Sequence, residues 1–234
     1  MNSNLVSRLS DLNIKRTDFH YLHYTSFHRD LTEAIREFSS GRVLDIGCGN
    51  KPYEFLFKDK VSEYIGCDIV QSDLEKVDII CEANKIPQPD ESFDTVISTQ
   101  VIEHVNDQQG LVNEAYRLLK KDKFLIISGP MYWPIHGDPY DYFRFTKNGF
   151  ELLLSRSGFT TVKVYSNGGM WATTGQSLIH SFINSKSNHF FLRLSRSLFY
   201  RLRMYVLFNR FFGWLDKKDF NPVNTMNYVI IAKK

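Results

Sequence analysis

The chain has no Cys-x-x-Cys pair, and its cysteines, Cys48, Cys67 and Cys81, are three in number. Their wide spacing excludes a compact metal knuckle, and their scarcity excludes a disulfide framework; they read as reduced thiols of a cytoplasmic protein. Also missing is any run of about 18 apolar residues, the length a membrane-spanning helix needs. The charge-free stretch 164–185 is long enough, but Ser, Asn, Gly, Thr and Gln interrupt it. The opening MNSNLVSRLSDLN lacks the apolar core of a signal peptide. A uniform basic charge is absent too. The net charge is +3, yet residues 186–215 hold six basic side chains and no acid, leaving −3 for the remainder. No nucleic-acid partner is therefore expected.

What is present is a soluble composition, 43% hydrophobic and 24% charged in 234 residues, enough for one sizeable domain with a full core. Short runs rich in Val, Ile and Phe at 42–46, 64–67, 77–81, 95–98, 124–128, 161–165 and 228–232 read as strands buried on both faces. Helical patterns at 31–38 and 111–119 fall between them, and the second places Leu111, Val112, Ala115, Leu118 and Leu119 on one face. Strands alternating with helices imply an α/β fold with a mostly parallel sheet covered on both sides. About sixty residues without strand pattern precede the last strand, starting at the turn Asn167-Gly168-Gly169, and read as a helical insertion. The expected organisation is a helical cap at 1–40, a core at 41–166, the insertion at 167–226 and the final strand at 227–234.

The stretch VLDIGCGNKPYEF (43–55) turns sharply after the first strand. Gly47 and Gly49 let the backbone approach a ligand, but Lys51 and Pro52 stand where a dinucleotide turn often has a third glycine. That loop suits a ribose-bearing cofactor without a pyrophosphate. Asp68, 23 residues after Asp45 in YIGCDI, is placed to accept from ribose hydroxyls.

VLDIGCGNKPY, YIGCDI, CEANKIPQPDESFDTVISTQVIEHV and NEAYRLLKKDKFLIISGP resemble, in order and spacing, the successive motifs of class I S-adenosylmethionine-dependent methyltransferases of the type 11 group. The resemblance implies a Rossmann-like seven-stranded sheet with the last strand antiparallel, and S-adenosylmethionine as cofactor. It implies that Asp45, Gly47, Cys48 and Gly49 line the methionine end. Asp68 would hold the ribose, Ile69 flank the adenine, and Glu82 and Ala83 contact the adenine edge. Gln100 would face the sulfonium.

Some similar enzymes carry Glu-x-x-Glu-His after the fourth strand and hold a divalent ion with it. Here the run is Gln100-Val101-Ile102-Glu103-His104, one charge poorer, and no metal is expected; Glu103 and His104 are expected to cap and orient the next helix. Methyl transfer to oxygen needs alignment and a proton acceptor. The loop PMYWPIHGDPYDYFRFT (130–146) offers His136 as general base, with Asp138 or Asp141 to orient it, among several aromatics. Asp141 and Arg144 are also spaced for a structural ion pair. This loop resembles that of methyltransferases encoded with polysaccharide-synthesis enzymes, which implies a small or glycan-like acceptor with a hydroxyl. A membrane-borne lipid or quinone acceptor, and a non-catalytic cofactor-binding subunit, stay open as alternatives. His20, His23 and His28 are expected to pack, in a segment folded over the cofactor.

The stretch 189–215 holds five arginines, nine aromatics and no acid. On one continuous helix, Arg193, Arg196, Arg203 and Arg210 share a face and Arg201 lies apart. Such a helix fits the core, a homodimer, or peripheral contact at the inner membrane surface.

Overall fold

The computed structural model describes residues 14–58 and 60–234, so the first thirteen residues of the expected cap lie outside it. Seven strands form one sheet: β1 (Gly41–Ile46), β2 (Val61–Asp68), β3 (Ile79–Ile80), β4 (Phe93–Thr99), β5 (Leu119–Pro130), β6 (Thr160–Asn167) and β7 (Asn227–Lys233). Their spatial order is β3-β2-β1-β4-β5-β7-β6. Pairings from β3 to β5 are parallel, while β7 runs antiparallel between β5 and β6. The helices are α1 (Tyr21–Phe38), α2 (Gln108–Leu118), α3 (Lys147–Arg156), α4 (Met170–Ile183), α5 (Phe190–Arg201) and α6 (Met204–Lys218). This is the Rossmann-like arrangement the sequence implies, including the antiparallel last strand.

Alternation along each strand feeds two cores. Val96, Leu125, Ile127 and Ile230 point to the side covered by α2 and α3, where Leu111, Ala115 and Phe150 are buried. Ile97, Ile126, Val229 and Ile231 point to the other side, where Phe27, Leu31 and Ile35 of α1 pack. Full burial of each such Leu, Ile or Phe is worth about 1.5–3 kcal/mol, which fixes the strand register.

Two boundaries differ from the sequence pattern. Leu119 continues the apolar period of α2 but turns extended at its end (φ −70°, ψ 138°) and opens β5 opposite Phe93. The span 189–215 is not one helix, because Arg203 takes a left-handed backbone (φ 49°) and separates α5 from α6. Its arginines therefore belong to two helices, and the single face expected for four of them does not exist. The Asn167-Gly168-Gly169 turn is a fixed corner. Asn167 is buried and bonded on both sides, a Cβ on Gly168 would sit 2.7 Å from Met226 Cε, and Asp216 accepts from the N–H groups of Gly169 and Ala172 at 3.1 Å, capping α4. Among the described residues, no helix is long and apolar enough to cross a membrane.

Candidate active site

The chain runs outward from β1 through β2 to β3 and returns as β4 on the other side of β1. Strand order thus reverses between β1 and β4, and their carboxyl ends flank a crevice. Gly47, directly after β1, has φ +76°, and a Cβ there would lie 2.3 Å from Val101 Cγ2 beyond β4. Only glycine satisfies both the backbone and the space. The N–H groups of Gly47 and Cys48 both donate to Cys67 O, at 2.8 and 3.0 Å, tying the turn to β2.

Asp68 ends β2 with one carboxylate oxygen accepting from Gly49 N–H at 3.0 Å and the other from Ile69 N–H at 2.8 Å. Each oxygen keeps a second lone pair for a ligand hydroxyl. Ile69 is 62% exposed beside it, Ile80 is 60% exposed on β3, and Glu82 and Ala83 follow on the same edge. An acid between an apolar rim and a glycine turn is the donor and acceptor set a nucleoside needs. Asp45 is buried beneath the turn and accepts from Tyr64 Oη at 2.7 Å. Burial pushes the Cys48 thiol up, with Asp45 and Asp68 adding to the effect, so it stays a neutral packing group.

Lys51 has the left-handed backbone (φ 52°) that the absent third glycine would adopt freely. Its ammonium donates to Asp78 at 2.5 Å with the side chain only 7% exposed, and its Cε lies over Gly66. The ion pair offsets the backbone cost.

Gln100 also sits at positive φ (55°), with its amide nitrogen donating to Ser128 Oγ at 3.0 Å and Asn227 Oδ1 at 2.7 Å. From there the bonds continue through Asn227 to Asn167 and from Asn167 to Asp30, each at 2.7 Å. This polar chain links β4, β5, β7 and β6 to α1 along one sheet edge. Sequence reasoning named Gln100 as facing the sulfonium, and here its amide nitrogen is bonded to Ser128 and Asn227; Ser128, Asn167, Asn227 and Asp30 were not named. The sequence signal of Ser128, Asn167 and Asn227 is a polar residue near the end of a strand, whereas Asp30 sits within α1 and has none.

The loop after β5 brings His136 to Asp141. His136 Nδ1 lies 3.4 Å from Asp141 Oδ2 and 3.3 Å from Pro134 O, and its backbone N–H donates to the same carboxylate at 3.0 Å. Two acceptors facing Nδ1 assign the ring proton there and leave the Nε2 lone pair for a substrate. Burial lowers the His136 pKa against the opposing pull of Asp141, keeping the ring neutral near pH 7. Burial opposes the charge of Asp141, but the guanidinium of Arg144, at 2.6 and 2.7 Å, outweighs it and holds the pKa at about 2. Asp141 orients His136; Asp138 is exposed and is not the residue at the imidazole.

Glu103 and His104 do not cap α2, whose first turn is capped by the Asp107 carboxylate accepting from Gly110 N–H. They form their own short turn and meet His136 instead. The His104 and His136 rings are 4.7 Å apart, and ligand atoms of Glu103, His104 and His136 all lie within 4.8 Å of one another. One carboxylate with two imidazoles suits a transition-metal dication better than magnesium or calcium. The expectation of no metal thus meets a three-ligand grouping that local spacing around residue 100 did not disclose.

Above this loop, α1 and α4 close over Trp133. Its ring centroid is 4.4 Å from His23, 4.7 Å from His180 and 5.2 Å from His20. Burial drives His23 down to about 3 and His180 to about 4, so both are neutral. His20 and His23 thus pack against the loop after β5, and His28 packs on Tyr24 and Tyr53; His180 is a partner the sequence did not name.

Fold and crevice define a nucleoside-binding α/β enzyme domain, and the comparisons agree. Residues 44–127 match the model of a methyltransferase domain family. A probable S-adenosylmethionine-dependent methyltransferase of Mycolicibacterium smegmatis is 30% identical over 161 residues, covering 61% of this chain and 63% of that protein. A ubiquinone biosynthesis O-methyltransferase of Ruegeria pomeroyi is 31% identical over 115 residues, covering 44% and 46%. The crystal structure of a SAM-dependent methyltransferase from Archaeoglobus fulgidus shares the fold with a TM-score of 0.54 at 19% identity, covering 93% of this chain and all of that one. The chain spans less than two thirds of the length of the curated relatives it matches. Residues 44–127 thus carry a class I S-adenosylmethionine-dependent methyltransferase domain, and S-adenosylmethionine is the cofactor of that domain.

Proposed function

We propose that the chain methylates a hydroxyl of a small or glycan-like acceptor, with His136 as general base. The observation that carries this is the His136–Asp141–Arg144 arrangement, which leaves a neutral imidazole with Nε2 free to take a proton. When bound, S-adenosylmethionine supplies an electrophilic methyl on sulfur, leaving as a neutral thioether. Asp68 and the Gly47–Gly49 turn fix the nucleoside, and His136 takes the hydroxyl proton as the acceptor oxygen gains the methyl. Tyr140, Tyr142 and Phe143 expose their rings on the same loop and offer stacking faces for a ring-bearing acceptor. Single-turnover assays over a panel of hydroxylated acceptors test the proposal. Cofactor binding without methylation of any acceptor would instead support a non-catalytic subunit.

A second reading rests on the convergence of Glu103, His104 and His136. These three would hold a divalent cation that lowers the pKa of an acceptor hydroxyl. Titration calorimetry with manganese, nickel and zinc separates the two: binding lost in Glu103→Gln supports the metal reading, and absence of binding leaves His136 as the base.

A further inference from the structure

The insertion carries a surface that neither cofactor nor acceptor binding uses. Of α5, only Phe199 is buried, stacked on Phe182 of α4 with centroids 4.4 Å apart. Phe190, Leu194 and Leu198, spaced four residues apart, are exposed along the helix, with Leu202 just past its end and Phe191 alongside. All face solvent, Phe190 and Phe191 at 67% and 69% exposure. On α6, Leu207, Phe211 and Trp214 repeat the pattern at intervals of four and three. An apolar stripe at helical spacing left this exposed is unusual for a water-facing helix.

Charge selects its partner. Arg193 and Arg201 are exposed on α5, Arg203 at the break and Arg210 on α6, with no acid between 186 and 215. The exposed face of α6 also borders a cavity of about 230 Å³ whose rim includes Arg16, Arg29, Arg210 and Lys217. Its acid, Asp216, is engaged with the N–H groups that start α4. We infer that α5 and α6 form a docking surface for an anionic phospholipid membrane, apolar side chains entering the headgroup region and arginines pairing with lipid phosphates. Apolar insertion plus cationic attraction is the combination that holds an interfacial helix.

Co-sedimentation with phosphatidylcholine vesicles, with and without phosphatidylglycerol, tests this. The wild type is expected to pellet with the phosphatidylglycerol vesicles and to be released by salt. Arg193→Ala with Arg201→Ala is expected to weaken binding about thirtyfold, at ~1 kcal/mol per charge near the surface. Leu194→Ser with Leu198→Ser, both exposed, is expected to abolish it while cofactor titration shows the fold intact. A wild type that stays in the supernatant at low salt overturns the inference, as does full binding by the leucine variant. A wild-type dimer converted to monomer by that variant would assign the face to a second copy of the chain and overturn it as well.

Discussion

The cofactor rim and the acceptor side are built on different length scales. At the rim, Gly49 reaches Asp68, and Tyr64 reaches Asp45, across 19 positions. On the acceptor side, Gln100 meets Asn227 across 127 positions, Asn167 meets Asp30 across 137, and His180 meets His20 across 160. The first kind of contact follows from one strand–turn–strand unit. The second exists only once β7, α1 and the insertion have docked against elements far from them in the chain. A site assembled in this way can keep its cofactor half constant while its acceptor half changes with the surrounding helices.

Four experiments would break or sharpen that contrast. The largest effect is expected for His136→Ala, which should lower kcat by about 10²–10⁴-fold while cofactor affinity, read by calorimetry, is unchanged. Equal losses in both would dissolve the division. Next, Asp68→Ala should weaken S-adenosylmethionine binding roughly 100-fold through lost charge-assisted bonds. The ring packing around Trp133, read by its near-ultraviolet signal, should not respond.

Stability against pH comes third. His23 and His180 have folded pKa values of about 3 and about 4, below the unfolded 6.5, so the unfolded chain binds more protons in between. Stability should therefore be full above pH 6.5 and fall as pH drops toward 4, by about 1–2 kcal/mol per pH unit. Urea melts of the wild type against His23→Phe would show the slope reduced in the variant. A flat profile would mean that neither ring is buried neutral. The smallest effect belongs to Asp216→Ala, which uncaps α4 for about 1 kcal/mol and leaves cofactor binding alone.

The same length scales explain what could be read from the chain. All seven strands announced themselves: two-sided burial leaves apolar runs in β1, β4, β5 and β7, and the partly exposed edge strands β3 and β6 keep short β-branched runs. The turn at Gly47 and the acid at Asp68 were legible as a local motif. The break at Arg203 was not, because Leu198, Leu202 and Leu207 keep an apolar pattern across it and no Pro or Gly marks it. Glu103 and His104 read as residues before a helix, since their proximity to His136 depends on how the loop after β5 folds back. Tyr142 and Phe143 donate their N–H groups to Glu103 O and hold it there. His180 belonged to a segment with no legible role at all.

Asn167 and Asn227 are register partners on β6 and β7, so residues 168–226 leave and re-enter the sheet at a single doorway. Topologically those residues are an interchangeable cassette on a hairpin. Replacing them with a tight turn would re-thread nothing, and closing a loop of about four residues rather than sixty lowers the closure entropy by roughly 2 kcal/mol. The opposing term is the Leu22 contact with Ala172 and Phe212, which only the cassette supplies to α1. A lineage can therefore retool what this enzyme touches without rewriting the strands that hold its cofactor.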